Sequence, residues 1–442
     1  MPQDLMEQIV SLAKRRGFIF PSSEIYGGLS GVYDYGPIGV ELKNNLKDIW
    51  IHTMTRERDD IVLIDSNILM APSVWEASGH TGAGFTDPLV ECKKCHQRFR
   101  QDMAPKKDET DHHIHEFMAP KQFNLLVETR LGTVEGSKTK TYLRGETAQG
   151  IYVNFVNVKE STRKSLPFGI AQVGKAFRNE ITIGHFLFRL REFEQMEMQF
   201  FIHPTEADTW FAYWQKQRMD YYLALGINKD HLRFHEHGKD ELAHYAKRAI
   251  DIEYKFPFGW KELEGIHNRG DWDLSRHSKF SGKDLSVFDE KTGKRLTPYI
   301  IETSTGLDRN LLMFMLESYE AVEGGRTVTT KAVKEVEEVL HFNPRVAPIK
   351  AAVFPLVNKD KLPEVSQDIY HDLKKEWHVE YDDSGSIGRR YRRQDEIGTP
   401  FCITVDFDTL KDQSVTVRDR DSMKQQRVTI KDLKNYLSQK IE

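Results

Sequence analysis

Apolar residues recur along this chain with two periods, and the change from one to the other divides it into elements. Leu5, Ile9 and Leu12 share one helical face behind a capping pattern from Asp4 to Glu7, which predicts an amphipathic N-terminal helix. Gly36-Pro37-Ile38-Gly39 then punctuates the chain, and Leu42, Leu46, Ile49 and Trp50 predict a helix from Val40 to about Thr55. An extended stretch over 60–64 follows, ending near Pro72, and 75–87 reads as loop. Phe168 to Ile181 and Arg189 to Ile202 read as strands joined by Thr182-Ile-Gly-His185, an antiparallel hairpin at the centre of a sheet. Residues 205–250 switch to a helical period rich in aromatics, and 251–263 return to strand character. Pro298 to Gly306 reads as a buried strand running into a helix from Leu307 to Tyr319, with a further helix ending near His341.

Past Asn343-Pro-Arg-Val-Ala-Pro348, which reads as a linker, strands at 350–354, 378–381, 401–405 and 414–417 alternate with helices at 361–375, 387–396 and 431–441. That alternation predicts a separate α/β domain. The expected organisation is a domain over 1–342, with an appended unit at about 88–125 and a helical insertion at about 205–250, a linker over 343–348, and a second domain over 349–442. The fold class expected is α/β in the broad sense (α+β): an antiparallel sheet flanked by helices, followed by a mixed-sheet domain.

Side chains alternate across a strand, so parity sorts them by face. Arg178 falls with Glu180. Arg191, Phe193, Gln195 and Glu197 share one face, while Met196, Met198, Phe200 and Ile202 form an apolar one. Phe193 and Glu197 lie roughly 13 Å apart at strand rise, a span that suits an elongated ligand with a ring at one end and a cation at the other. Glu302, Ser304 and Gly306 share a parity, and Arg309 falls in the first turn of the next helix, where free N–H groups and the macrodipole attract an anion such as phosphate.

Composition narrows the class. Of 442 residues, 39% are hydrophobic and 29% charged, which excludes a disordered or collagen-like chain, and no apolar run approaches the roughly 20 residues of a membrane span. The net charge of −4 means that any nucleic-acid contact comes from local basic patches. Three cysteines, Cys92, Cys95 and Cys402, are too few for a disulfide framework and suit a reducing interior, and the acidic N-terminal helix is unlike a transit peptide, so the cytoplasm is the expected location.

Phe177-Arg-Asn-Glu180 with Arg191-Glu-Phe-Glu-Gln-Met-Glu197 resembles motif 2 of class II aminoacyl-tRNA synthetases, and Gly306-Leu-Asp-Arg309 resembles motif 3. The helix and strand ending at Pro72 would be the dimer-forming motif 1. Trp75-Glu-Ala-Ser-Gly-His80, Glu146-Thr-Ala-Gln-Gly150, Glu262-Leu-Glu-Gly265 and Pro298-Tyr-Ile-Ile-Glu302 are similar to the homodimeric glycyl-tRNA synthetases, from about Phe18 to the C-terminus.

The resemblance implies ATP with Mg²⁺, glycine and a glycine-accepting tRNA as substrates. It implies that Arg178 grips the α-phosphate, Glu180 takes the adenine amino group, and Phe193 and Arg309 sandwich the adenine, Arg309 also meeting the γ-phosphate. The nucleotide would further lie along Asn179, Phe188, Arg189, Leu190, Arg191 and Glu192, and beside Glu262, Leu263, Gly306, Leu307 and Asp308. Glycine would meet Arg100, Glu146, the run Phe193, Glu194, Gln195, Met196 and Glu197, and the run Glu302, Thr303, Ser304, Thr305 and Gly306. Glu302 is also a candidate Mg²⁺ ligand.

Two places depart from the family pattern. Relatives carry proline where Gly145 stands, which predicts a looser turn before Glu146. The family's appended unit often has two cysteine pairs in a zinc ribbon, whereas only Cys92 and Cys95 occur here. His112, His113 and His115 are candidates to complete a Zn²⁺ site, with a His-rich surface loop the expected reading. In the last domain, Arg389, Arg390, Arg392 and Arg393 form a basic run with Tyr391 placed to stack, a candidate tRNA contact in what resembles an anticodon-binding domain. Alternative readings are a class II synthetase for another small amino acid and a non-catalytic, synthetase-like accessory protein.

Overall fold

The two long alternating segments become neighbouring strands in the computed structural model, which describes residues 2–108, 112–133, 139–238, 246–290, 292–326 and 336–441. They sit in a seven-stranded sheet whose strands, in chain order, are β1 (Ile61–Leu63), β2 (Phe168–Phe177), β3 (Glu192–Ile202), β4 (Leu232–Glu236), β5 (Arg248–Phe256), β6 (Gly259–Gly270) and β7 (Tyr299–Gly306). The spatial order is β4-β5-β6-β7-β3-β2-β1, antiparallel except for the parallel β1 and β2. Directly opposed residues share a face, so the register lines up Gln172, Glu197, Ser304 and Gly265 in one row. Gln199, Glu302 and His267 form the next. The strand periodicity is therefore what assembles a polar strip across four strands.

The other face is apolar. Met196, Met198, Phe200, Ile202 and Ile301 are fully buried there, against α1 (Pro2–Arg15), α2 (Pro37–Thr55), α3 (Ala207–Ala224) and α5 (Leu307–Ser318); α4 (Trp272–Ser281) lies on the polar side. α2 presents the expected Leu42, Leu46 and Trp50, and Leu5, Ile9 and Leu12 of α1 join the same core. Gly39 permits the entry to α2, since a Cβ there would lie 1.8 Å from the Phe18 carbonyl oxygen.

Several elements differ from expectation. Helix α3 ends at Ala224, before Gly226 at φ +90°, and β4 and the start of β5 occupy the rest of the expected helical stretch; residues 239–245 lie outside the described set. The stretch at 75–87 contains a short helix, Pro72–Ala77, begun by proline at its first position, and Thr86 opens a strand. The helix expected to end near His341 is instead an antiparallel pair, Tyr319–Glu323 with Val336–Leu340, in which β-branched Val322, Val336 and Val339 favour extension; residues 327–335 lie outside the described set. Strand β2 stops at Phe177 and β3 starts at Glu192, so the connection is longer than a tight hairpin.

The C-terminal sheet joins β8 (Ala351–Pro355), β9 (Val379–Tyr381), β10 (Phe401–Val405), β11 (Ser414–Asp419) and β12 (Gln425–Thr429) in the order β9-β8-β10-β11-β12, parallel among the first three and antiparallel after them. It packs with α6 (Leu362–Leu373), α7 (Ile387–Ile397) and α8 (Leu433–Ile441). Strand β12 was not foreseen. The expected linker is packed, not extended: Val346 and Ala347 are fully buried in the larger core, and Asn45 of α2 donates to their carbonyls at 3.2 and 2.8 Å. No described helix is long and apolar enough to cross a membrane.

Behind the sheet, Arg218 of α3 meets Glu264 of β6 at 2.5 Å, both essentially unexposed, and Tyr222 donates to the second Glu264 oxygen at 2.7 Å. Removing one partner strands a buried charge. Arg218→Ala is expected to destabilise the protein by about 3–5 kcal/mol, and Arg218→Met with Glu264→Leu to cost less, as read by urea unfolding followed through tryptophan fluorescence.

Candidate active site

The polar face of β3 reads Phe193, Gln195, Glu197, Gln199, Phe201, and its chemistry is graded along that line. Phe201 joins Phe168 and Ile300 in an apolar cluster. Next, the Gln199 amide donates to Glu302 at 2.8 Å and Glu197 at 3.3 Å, bridging the two acids. His267 meets Glu302 at 2.7 Å, and the Arg269 guanidinium reaches both Glu302 oxygens at 3.1 Å. Arg269 is itself gripped by Asp273, in the first turn of α4, at 2.8 and 2.9 Å. Thr147 donates its hydroxyl to Glu197, and Glu146 is held by Gln149 at 2.7 Å and by His80 at 3.4 Å.

These surroundings split the three acids. Burial raises the proton affinity of Glu302, but Arg269 and His267 outweigh it and hold the carboxyl well below the usual range. Burial likewise raises Glu146, and His80 and Arg269 bring it down to about 2. For Glu197, burial and its two acidic neighbours, Glu302 and Glu146, push it well above the ordinary value. The face thus holds two acids of lowered proton affinity beside one of raised proton affinity.

Arginines lie at the other end. The Arg178 guanidinium lies 5.3 Å from the ring centroids of both Phe85 and Phe193, with Nε donating to the Gly145 carbonyl at 3.1 Å. Arg309, in the first turn of α5, lies 4.4 Å from the Phe188 ring and donates to the Phe188 and Glu262 carbonyls at 3.1 Å, with the Glu262 carboxylate 3.2 Å away. Arg178, Glu180, Phe193, Gln195, Ser304 and Arg309 line one cavity of about 120 Å³, together with Arg189, Leu190 and Gly306. A wider cleft of about 760 Å³ shares Arg178 and takes in Asn179, Arg191 and Glu192. Glu180 is 8% exposed; burial raises it, and Arg189, 3.5 Å away, offsets only part of this.

Some expected contacts fall elsewhere. Arg309 lies against the Phe188 ring and Phe193 near Arg178, while Phe193 and Arg309 line the same cavity. Arg100 pairs with Asp102 at 2.8 Å and Asp87 at 3.5 Å, and its charge acts on Glu180, at the arginine end and not among the three acids. Glu194 points to Lys43 at 2.5 Å. Asp308 accepts from Tyr35 and from the Glu194 backbone, the latter at 2.7 Å. Met196, Thr303 and Thr305 have the opposite parity: Met196 is buried in the apolar core, Thr303 is fully buried, and Thr305 donates to the Leu263 carbonyl. Leu263, at a bulge of β6, and Leu307, the first residue of α5, are buried in the same core. Glu302 as a Mg²⁺ ligand is corrected too, since Gln199, His267 and Arg269 engage its oxygens and Arg269 would repel the ion. The turn at Gly145 is tight and not loose: a Cβ there would lie 2.9 Å from the Phe85 ring.

Gln199, His267 and Arg269 were missed although parity marks them: 199 continues 195 and 197, and 267 and 269 continue from Gly265 on β6. His80 and Phe85 carry no such signal, since the short helix and turn that bring them in have no strand period.

In the appended unit, strands Thr86–Glu91, Arg98–Arg100 and Lys121–Asn124 form a small sheet. One ligand atom each of Cys92, Cys95, His113 and His115 lies within 4.8 Å of all the others. Cys92 Sγ is 3.4 Å from His113 Nε2, and Cys95 Sγ 3.8 Å from His115 Nδ1. Burial pushes the Cys92 thiol up, but the Cys95 backbone N–H and the His115 and His113 rings outweigh it and bring it to about 5. The expected surface loop is therefore a four-donor cluster, with Cys92 and His115 buried; His112 stands outside it.

The basic run of α7 is mostly occupied. Arg390 is 3% exposed and donates to the carbonyls of Pro355, Asp383 and Gly385. Arg392 pairs with Glu337 and Arg393 with Asp382, each at 2.5 Å, and Tyr391 is buried with its hydroxyl on Thr404. Of the four arginines only Arg389 is exposed.

The raised Glu197 sets a pH test. The folded carboxyl keeps its proton where the unfolded chain has lost it, so the residue costs stability as pH rises above about 4.3. Glu197→Gln is expected to raise Tm relative to the parent at pH 8, with the difference vanishing near pH 4, by differential scanning calorimetry across pH.

Comparison with known proteins agrees with this geometry. A family model described as the tRNA synthetase class II core domain (G, H, P, S and T) matches residues 133–319, and one described as an anticodon binding domain matches 350–440. The glycine–tRNA ligase of Thermobifida fusca is 51% identical, covering 99% of this chain and 98% of its own. Those of Treponema denticola and Streptomyces coelicolor are 52% and 49% identical, over 94% and 100% of this chain and 92% and 99% of theirs. With likeness of this degree over nearly the whole length of the chain, the chain belongs to the glycine–tRNA ligase family of class II aminoacyl-tRNA synthetases.

Proposed function

We propose that this protein joins glycine to ATP as glycyl-adenylate and passes the glycyl group to the 3′-terminal hydroxyl of its tRNA. The observation carrying this reading is one face with caged acids at one end and two guanidinium groups at the other, with Ser304 and Phe193 between them. The glycine ammonium takes the acid end, where the proton of Glu197 leaves as the cation enters. Its carboxylate then points along β3 toward Arg178 and attacks the α-phosphorus in line, expelling pyrophosphate. Attacking group and target are both anionic, so the barrier lies in bringing them together, and Arg178 and Arg309 lower it by positioning and by charge already in place. No side chain need act as a nucleophile. Mg²⁺, which accompanies ATP in class II enzymes, would neutralise charge on the phosphates.

Selectivity follows from crowding, because excluding larger amino acids by overlap is easier than rejecting smaller ones. In this reading residues 1–342 carry the chemistry and 349–442 read the tRNA, with Arg389 the exposed cation of α7. The second copy implied by the motif 1 likeness would meet the first through α2 and β1.

The appended cluster fits zinc. With Zn–S of about 2.3 Å and Zn–N of about 2.0 Å, a tetrahedral angle separates sulfur from nitrogen by about 3.5 Å. The two S···N distances of 3.4 and 3.8 Å bracket that value. Cys92, Cys95, His113 and His115 would hold a structural ion that ties the loop after Glu91 to the strand at Lys121.

Three experiments test these readings. Pyrophosphate exchange is expected to require glycine; exchange with another amino acid instead would favour the small-amino-acid alternative, and none at all the accessory protein. Arg269→Met, which frees Glu302 from its buried cation, should lower kcat/KM for glycine by about 100-fold or more while the KM for ATP changes little. Elemental analysis of the purified chain should find one zinc per chain, lost in Cys92→Ser; zinc-free protein with unchanged melting would count against the metal site.

A further inference from the structure

Phe85 ends a short turn, Ala83–Phe85, and leads into the first strand of the appended unit. Its ring is boxed on three sides. The Arg178 guanidinium carbon lies 5.3 Å from its centroid, and the His80 ring 4.5 Å away. On the third side the chain comes so close at Gly145 that a Cβ there would stand 2.9 Å from Phe85 Cζ. The ring thus has little room to move aside.

The backbone repeats this linkage. The Leu125 N–H donates to the Phe85 carbonyl at 3.1 Å, and the Asn179 N–H, one residue past Arg178, donates to the Leu125 carbonyl at 2.8 Å. Further along, the Arg100 N–H donates to the Thr182 hydroxyl at 3.2 Å. The segment Arg178–Thr182 lies between β2 and β3, outside the sheet ladder, and these contacts from the appended unit supply part of the support that strand pairing does not.

We propose that Phe85 is a positioning residue for Arg178, so that the turn leading into the appended unit helps set the affinity for ATP. A guanidinium held against the rings of Phe85 and Phe193 is placed before the nucleotide arrives, which spares the ordering cost at binding. Without the first ring, Arg178 keeps its charge and its bond to Gly145 but loses one of the surfaces that place it. The inference rests on reading Arg178 as the phosphate-gripping arginine, and it does not require that the unit hold zinc.

A double-mutant cycle on ATP affinity, by equilibrium dialysis with the full chain, tests it. Phe85→Leu should weaken ATP about tenfold, and Phe85→Tyr, which keeps the ring, should stay within about twofold of the parent. Placed in an Arg178→Ala background, Phe85→Leu should add less than about twofold, because the group it positions is gone. An unchanged affinity in Phe85→Leu, or the same tenfold loss with and without Arg178, would overturn the proposal. If Arg178→Ala itself leaves ATP binding unaltered, the parent reading of Arg178 fails instead. Should Phe85→Leu not fold, by circular dichroism, Phe85→Met is measured in its place and read the same way.

Discussion

Arg269 is the constraint around which the site is built. Its guanidinium, 3% exposed, is divided between Asp273 of α4 and Glu302 of β7, and that division keeps Glu302 ionised inside a sheet where burial alone would neutralise it. Once Glu302 is fixed as an anion, Gln199 is oriented by it, and Glu197, sharing that amide, becomes the acid that cannot also ionise cheaply. The grading of the three carboxyls, Glu302 and Glu146 lowered and Glu197 raised, follows from where Arg269, His267 and His80 stand and from burial. The acids of this face are already hydrogen-bonded or ion-paired, which limits the penalty of burying so much charge.

The arginine end follows a different rule. Arg178 and Arg309 are not neutralised by acids buried at full strength; they rest against Phe85, Phe193 and Phe188 and donate to carbonyls. Rings and carbonyls hold a guanidinium in place without cancelling its charge, and the carboxylate that meets Arg309, that of Glu262, is about half exposed. The acid end is therefore electrostatically closed and the arginine end electrostatically open, on one strip of sheet.

How much of this was legible in the sequence depends on whether a period carried it. The pairing of Phe193, Gln195 and Glu197 on one face, with Met196 and Met198 on the other, followed from parity because β3 is regular throughout. The same rule would have found Gln199, His267 and Arg269. Where the signal came from a contiguous motif, neighbours were swept in: Glu194 and Asp308 lie inside motif-like strings but turn to Lys43 and Tyr35. His113 and His115 could not be joined to Cys92 and Cys95 by spacing alone, since a loop of irregular length separates them. The arginines of α7 looked like a solvent-facing run, yet a helix packed on a sheet edge turns most of its sides toward protein, and Asp382, Glu337 and three carbonyls consumed them.

The buried passage at Val346 and Ala347 has a mechanical outcome. With Asn45 bonded to both carbonyls, Glu396 paired to Arg16 and His378 placed 3.3 Å from Glu41, the C-terminal sheet is bolted to the catalytic body at several points. An RNA that touches both ends of such a molecule meets a ruler of set length, and whatever bending is needed to fit has to come from the nucleic acid.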